Sequence, residues 1–323
     1  MRREFISIAA MAIALIGSQA IAVAISPLFL ANQFQAFPEP GDVTNTVVYL
    51  IMILAFTAFI LLLVRYRRRN LAKYVILGSI FVTLAFILLL PLVYLLYYAS
   101  GGAIDGDPLA YLSTLLAFAI AGGLLYLLLK FPEWYVVDSI GILTAAGVTA
   151  ILGISFGILP AILLLGALAI YDAWAVYRTK HMITLADELT SQRLPILLVI
   201  PKRAGYSFRE QKSLKAQVAS GEEREAMFMG LGDVIIPGVL AVSAATFLTP
   251  PGFTAVSVLG IPANLFIAMV TMVGTLAGFF ILMRFVLKGN PQAGLPLLNG
   301  GAIVGYLLAY ALVFGGNRLF GLI

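Results

Sequence analysis

Three aspartates lie inside segments that are otherwise apolar, and they have the clearest chemical potential in this sequence. The chain has 15 acidic residues, and all except Asp138, Asp172 and Asp233 fall in loops or at the ends of apolar runs. An acid at membrane depth costs about 2.5–3.5 kcal/mol on insertion scales. Such residues therefore indicate function by default, either in acid–base catalysis or in binding a transported ion.

Asp172 and Asp233 are predicted to lie at the same depth in two neighbouring antiparallel helices. Asp172 precedes Arg178 by six residues, and Asp233 follows Met227 by six residues. At about 1.5 Å of rise per residue, each carboxylate would lie roughly 9 Å from the same membrane face. We therefore expect the two side chains to converge across a gap between helices. The residues alone leave both catalysis and ion binding open.

The sequence around Asp233 predicts an irregular helix. Gly230 and Gly232 precede the acid, and Pro237 follows it by four residues. Because proline has no N–H, the carbonyl of Asp233 loses its usual helical donor, which membrane proteins tolerate mainly beside cavities. Close helix packing is an alternative explanation for the glycines, but it does not explain the acid.

Three other candidates are assigned to structural or solvated positions. Asp138 follows "FPEWYVV", so we expect it to bend back to water at the membrane surface and to have a structural role. Ser155 in "GISFG" fits the G-x-S-x-G pattern. However, Ser155 is predicted at the outer face and His181 at the inner face, so they cannot exchange a proton. We expect His181 to be a solvated loop residue.

The composition excludes several classes of protein. Hydrophobic residues make up 62% of the chain and charged residues 11%, with a mean hydropathy of +1.04, whereas soluble domains carry about 25% charged residues. The chain therefore belongs in a lipid bilayer. The absence of cysteine and the single histidine exclude disulfides, thiol nucleophiles and multi-histidine metal sites, and we expect no cofactor.

The apolar runs predict an all-α polytopic membrane protein with nine transmembrane helices, since a bilayer core requires roughly 20 apolar residues per helix. The predicted spans are residues 5–30, 47–64, 75–98, 109–129, 134–153, 158–177, 227–248, 263–287 and 296–314. They divide the chain into a six-helix part (1–177), a cytoplasmic hydrophilic loop (178–226) and a three-helix part (227–323). Within the loop, "LPILLVIP" (194–201) is too short to span and predicts a strand or interfacial segment.

The lysines and arginines predict the orientation of these helices. With a cytoplasmic N-terminus, all 20 basic residues except Arg318 fall on the cytoplasmic side, and the C-terminus lies outside. This placement explains the net charge of +5 without a nucleic-acid partner.

Two of the acids belong to motifs that resemble those of presenilins and signal peptide peptidases. "YDAWAVY" contains Tyr171 and Asp172 near the end of the sixth span, and "GLGD" ends at Asp233 in the seventh. In the ninth span, "AGLP" matches the end of the family's Pro-Ala-Leu-Pro pattern, with Ala and Gly replacing its first two residues. The order and spacing of all nine spans resemble those of a microbial, archaeal-type presenilin homologue.

This resemblance implies an intramembrane aspartyl protease that hydrolyses peptide bonds within transmembrane segments. Asp172 and Asp233 would be its catalytic pair, sharing one proton as a dyad. One carboxylate would take a proton from the attacking water, and the other would assist the carbonyl oxygen and the leaving nitrogen. The residues implied to bind substrate or shape the site are Tyr171, Gly230, Leu231, Gly232, Ala293, Gly294, Leu295 and Pro296.

A helical substrate must unwind before hydrolysis, because its backbone groups are already hydrogen-bonded. We predict that residues 294–297 offer unpaired backbone to an extended substrate. The expected partners are transmembrane peptides and the lipid bilayer. Because the outer loops are short, we expect no obligatory accessory subunit, and a homo-oligomer stays open. The orientation is similar to that of presenilin, which favours substrates with external N-termini, and the lack of targeting signals favours a prokaryotic plasma membrane.

Two other functions compete with proteolysis. A proton- or cation-coupled transporter would use the acids to bind its coupling ion, although nine spans do not divide into two equal repeats. A non-catalytic membrane scaffold would retain its activity, and gain stability, when both acids are replaced by alanine.

Overall fold

The computed structural model describes residues 2–66, 69–179, 197–203, 205–210, 225–248, 257–287 and 292–315. This part of the chain contains nine α-helices, which confirms the predicted all-α architecture. Eight of them are long and apolar enough to cross a membrane, and α7 is a shorter apolar helix of 17 residues. The helices are α1 (Arg2–Ala31), α2 (Thr44–Arg65), α3 (Arg69–Ala99), α4 (Gly106–Lys130), α5 (Trp134–Ser155), α6 (Ile158–Trp174), α7 (Leu231–Phe247), α8 (Ala263–Val286) and α9 (Leu295–Phe314).

Two short segments between α6 and α7 form an antiparallel pair of strands. Strand β1 (Leu197–Pro201) pairs with β2 (Ala226–Gly230), so that Val199 lies opposite Phe228. For residues 194–201 the sequence predicted a strand or an interfacial segment, and β1 agrees with the strand. The first three of these residues lie outside the described part of the chain. A second small hairpin, β3 (Ser257–Val258) with β4 (Ile261–Pro262), precedes α8.

The predicted start of the seventh helix is wrong. The apolar run predicts a start at residue 227, but residues up to Gly230 pair with β1, and α7 begins at Leu231. A continuous apolar run does not distinguish a strand followed by a helix from one long helix. Asp233 is therefore the third residue of α7, and the depth reckoned from Met227 does not apply.

Helix α7 lies at the centre of the helix bundle. It contacts α1, α5, α6, α8 and α9, and most of its residues are buried. A helix that is apolar on all sides must be kept from water, either by lipid or by other protein segments, and α7 is enclosed by neighbouring helices. In contrast, α2 lies at the rim of the bundle, where only 6% of its most apolar stretch is buried.

Glycines bring α8 and α9 into direct backbone contact. A Cβ atom on Gly274 would collide with the carbonyl oxygen of Gly301, and one on Gly278 would collide with that of Leu297. Small residues allow such close approach in membranes, where packing rather than the hydrophobic effect holds helices together. This contact, termed here the glycine seam, consists of Gly274, Gly278, Gly301 and Gly305, and it fixes the first turns of α9 against α8.

Candidate active site

Asp172 lies near the C-terminal end of α6, two residues before that helix ends at Trp174. Its side chain is buried. The backbone N–H of Leu295, at the start of α9, donates a hydrogen bond to its Oδ2 atom at 3.1 Å. One turn of π-helix, Ala175–Thr179, continues the chain beyond α6.

Asp233 lies in the first turn of α7 and is partly buried. Gly230, the last residue of β2, caps this helix, and its backbone N–H donates to the carboxylate of Asp233. The same carboxylate lies against Gly294: a Cβ atom placed there would be 2.9 Å from Oδ2 of Asp233. A side chain at position 294 would therefore displace the acid.

The two acids converge on one piece of backbone. Asp172 accepts the N–H of Leu295, while Asp233 contacts the preceding residue, Gly294. The carboxylates are also close enough to interact electrostatically. The strand–helix junction, the end of α6 and the start of α9 thus bring two carboxyl groups together within a mainly apolar bundle.

The remaining predicted site residues differ in their surroundings. Leu231 is buried and packs against Gly141 of α5, so it belongs to the core. Gly232 is exposed, and a Cβ atom there would meet no other atom within 4 Å. Tyr171 is exposed at the surface of α6. Ala293 is buried, and Pro296 lies in the first turn of α9.

The prediction of unpaired backbone at residues 294–297 is wrong. The N–H of Leu295 is bound to Asp172, and the N–H groups of Leu297 and Leu298 both donate to the carbonyl of Gly294, each at 3.2 Å. Helix α9 begins at once after Gly294, because Pro296 is well suited to a first helical turn, where its missing N–H has no intrahelical acceptor.

Asp138 is buried, so the prediction that it bends back to water is wrong. Its Oδ1 atom accepts the backbone N–H of Val199 in β1 at 2.7 Å, which agrees with the predicted structural role. Burial raises the pKa of the nearby Tyr206 phenol, and the carboxylates of Glu225, Asp138 and Glu133 raise this pKa further. The phenol therefore stays protonated at neutral pH.

Ser155 has a structural role at the other end of α5. Its hydroxyl donates to the carbonyl of Ile151 and accepts the N–H of Ala36 at 2.7 Å. His181 lies outside the described residues. Among the residues that the structure describes, no group of three or more His, Cys, Asp or Glu side chains could hold a metal ion.

Three buried polar residues near the pair were missed by the sequence analysis. Gln19 and Thr149 donate to the carbonyls of Val234 and Ile235, at 3.5 and 3.4 Å, in the turn of α7 before Pro237. The third, Asn299, donates to the carbonyl of Leu165 in α6 at 2.9 Å. Their sequence signal is the same as that of the acids, a polar group within an apolar run.

These contacts support the two helices that carry the acids. Gln19 and Thr149 bind the carbonyls one and two residues after Asp233, in the helical turn that Pro237 disrupts. Asn299 lies one turn after Leu295, so its hydrogen bond holds α6 and α9 together where Leu295 binds Asp172.

Comparisons with known proteins agree with this arrangement. A family model for "Signal-peptide peptidase, presenilin aspartyl protease" matches residues 11–315. Two solved structures of a presenilin family intramembrane aspartate protease are each 34% identical to the chain. The structure in space group C222 covers 94% of this chain and 99% of its own, with a TM-score of 0.65. The structure in space group P2 covers 94% and 97%, with a TM-score of 0.60. Among the curated proteins, none matches.

Proposed function

Since this chain belongs to the signal peptide peptidase and presenilin family and is an intramembrane aspartyl protease, we propose that Asp172 and Asp233 are its catalytic pair. The observation that carries this proposal is their convergence on the backbone of Gly294 and Leu295. Two carboxylates this close share a proton, because both cannot ionise cheaply in an apolar environment.

The proposed hydrolysis uses a water molecule held between the two carboxyl groups. The ionised carboxylate removes a proton from this water as its oxygen attacks the substrate carbonyl carbon. The protonated carboxyl group donates a hydrogen bond to the developing oxyanion. When the C–N bond breaks, the leaving nitrogen takes up a proton from the pair, which returns to its singly protonated state. No metal or other cofactor takes part in this scheme.

We propose that the substrate binds as an extended strand along the outer edge of β2. Within the described residues, β2 pairs only with β1, so its other edge has no neighbouring strand. Strand β2 leads through Gly230 directly to Asp233. A chain added to that edge would gain backbone hydrogen bonds, which compensate for those lost when its transmembrane helix unwinds.

Replacement of either acid tests the catalytic pair. Purified protein in detergent is incubated with a single-span transmembrane peptide, and the products are identified by mass spectrometry. Asp172→Ala and Asp233→Ala should each lower cleavage by about 10²–10⁴-fold or more, since acid–base assistance is lost. Asp107→Ala, which removes an exposed acid in the first turn of α4, should leave the rate unchanged.

Two results would contradict the catalytic pair. One is wild-type cleavage that persists in either of the single alanine variants. The other is an intact peptide combined with proton or cation flux in proteoliposomes, as the transporter alternative requires. Neither the family match nor the similar structures indicate a transporter.

We further propose that the enzyme acts in a prokaryotic plasma membrane, without an obligatory accessory subunit, on substrates whose N-termini lie outside. The predicted cytoplasmic N-terminus supports this substrate orientation. The division into residues 1–177, 178–226 and 227–323 fits a site in which α6 and α7 flank the hydrophilic loop. The assay with purified protein tests independence from partners. The elution volume of the protein in size-exclusion chromatography tests for a homo-oligomer. Matched peptides of both orientations in proteoliposomes test substrate direction.

A further inference from the structure

We propose that Asp138 is a positioning residue for proteolysis: it closes the outer edge of β1, so that a substrate strand pairs only with β2. This inference rests on the proposed addition of substrate to β2. Asp138 lies on α5, does not belong to the catalytic pair, and contacts the sheet rather than the proposed substrate edge.

The outward direction of Val199 follows from the hydrogen bonding of the sheet. Backbone groups in an antiparallel pair face the partner strand at every second residue. The N–H of Lys202 donates to the carbonyl of Glu225 at 2.8 Å, which places the even-numbered residues of this strand toward β2. Val199 and Pro201 therefore point to the outer edge of β1.

Neither Val199 nor Pro201 offers a free backbone N–H to an incoming strand. The N–H of Val199 donates to Oδ1 of Asp138 at 2.7 Å. Pro201 has no N–H, and its carbonyl accepts the hydroxyl of Ser7, in α1, at 2.9 Å. An incoming strand at this edge would have to displace the carboxylate of Asp138. At the outer edge of β2, the N–H of Gly230 donates to Asp233 at the end nearest α7. No hydrogen bond among the described residues places an acid on the other two outward N–H groups, those of Ala226 and Phe228.

Helix α5 also fixes the sheet relative to Asp233. Gly141 lies three residues after Asp138, where a Cβ atom would be 3.5 Å from Leu198 of β1 and 3.4 Å from Leu231, the first residue of α7. The same face of α5 thus contacts the strand through Asp138 and the start of the catalytic helix through Gly141. Movement of β1 on α5 would shift β2, and with it the substrate's register at Asp233.

The contact requires an acceptor oxygen rather than a charge. Asp138 is buried, with 6% of its surface exposed, and its Oδ2 atom has no hydrogen-bond partner within the described part of the chain. Asparagine would keep an oxygen for Val199 and have nearly the same shape. Alanine would remove the acceptor and leave the N–H of Val199 unpaired.

The test compares Asp138→Ala, Asp138→Asn and Glu133→Ala for kcat, KM and the distribution of cleavage sites. Glu133, the residue before α5, is the matched control, because its carboxylate accepts the backbone N–H of Phe208 (3.2 Å) and the hydroxyl of Ser207 (2.9 Å) instead of an N–H of the strand. We expect Asp138→Ala to lower kcat/KM by about tenfold, as for a lost buried hydrogen bond, and to add new cleavage sites. Asp138→Asn and Glu133→Ala should keep the wild-type sites.

Hydrogen exchange gives a readout that does not depend on activity. In the inactive Asp172→Ala background, the amide of Val199 should exchange faster with Asp138→Ala than with Asp138→Asn or Glu133→Ala. Melting temperatures identify variants that fail to fold. If Asp138→Ala does not fold, the cleavage sites and kcat/KM of Asp138→Asn still test whether an acceptor oxygen is sufficient at position 138.

Three results would overturn the proposal: unchanged cleavage sites and kcat/KM in folded Asp138→Ala, an equal loss in folded Asp138→Asn, or no change in the exchange of Val199. A wild-type protein that cleaves no peptide, while the exchange difference persists, would refute the protease site rather than the edge contact.

Discussion

Gly294 separates the two acids by the least space that a residue can occupy. Asp172 binds the N–H that follows it, and Asp233 packs directly against its Cα atom. At the scale of the residue, the distance between the carboxyl groups therefore depends on the absence of a side chain at position 294.

Gly294→Ala should reduce the rate of cleavage strongly. The new methyl group would lie 2.9 Å from Oδ2 of Asp233, so the acid or the start of α9 must move, and a displacement of about 1 Å can lower a rate by about 10²-fold. The check is kcat measured with the single-span peptide. Gly300→Ala is the control, because its Cβ atom would lie in open space on the same helix, and it should retain most of the activity. Equal rates for the two variants would show that position 294 does not set the geometry of the pair.

The two acids proposed as the catalytic pair could be predicted from sequence, but their surroundings could not. A carboxylate in an apolar run is costly wherever it lies, so Asp172 and Asp233 are visible without any coordinates. The N–H that binds Asp172 belongs to Leu295, 123 residues away along the chain. Asp138 and Val199 are 61 residues apart. Such pairings depend on how the helices pack, which no local pattern encodes.

At the scale of elements, the central features are the short helix α7 and the strand before it. The apolar periodicity predicted the nine helices, but it joined β2 to α7 because both are apolar and continuous in sequence. The partner strand β1 was predicted as a short apolar segment between prolines. Pairing these two strands required knowledge that they meet at the ends of the same loop.

Gly278→Ala should destabilise the contact between α8 and α9. Its Cβ atom would collide with the carbonyl oxygen of Leu297, and backbone cannot rotate away as a side chain can. Overpacking of this kind costs about 1–3 kcal/mol, which thermal unfolding in detergent would detect as a lower Tm. Gly300→Ala is the matched control on α9, since a Cβ atom there meets nothing within 4 Å. A Tm for Gly278→Ala equal to that of Gly300→Ala would contradict close backbone packing.

At the scale of the whole molecule, the helices differ in how much of their surface faces lipid. Helix α7 is enclosed by other helices, whereas α2 exposes nearly all of its most apolar stretch. The exposed aliphatic and aromatic side chains are thus those expected of a bilayer-facing surface. Composition alone could predict the membrane environment. It could not predict which helix would be enclosed, because the sequences of α2 and α7 are both predominantly apolar.

The orientation of the bundle is testable because the chain contains no cysteine. Ala103→Cys, in the exposed loop after α3, should react with a membrane-impermeant maleimide added outside intact cells. Arg203→Cys, just after β1, should react only after the membrane is permeabilised. The excess of basic residues on one side is the physical reason for this expectation. The opposite pattern of labelling would invert the proposed topology and the substrate direction inferred from it.

Because no side chain separates α8 from α9 at the glycine seam, we expect the two helices to move as one rigid unit. Gly294 precedes α9 in this unit, and α7, which contains Asp233, packs against five other helices. We expect the cleft to widen for an incoming chain at the C-terminal end of α6, beyond its hydrogen bond to Asn299, where the chain continues after Trp174 as one π-helical turn. The enzyme would open on the side of its first acid while the second stays seated.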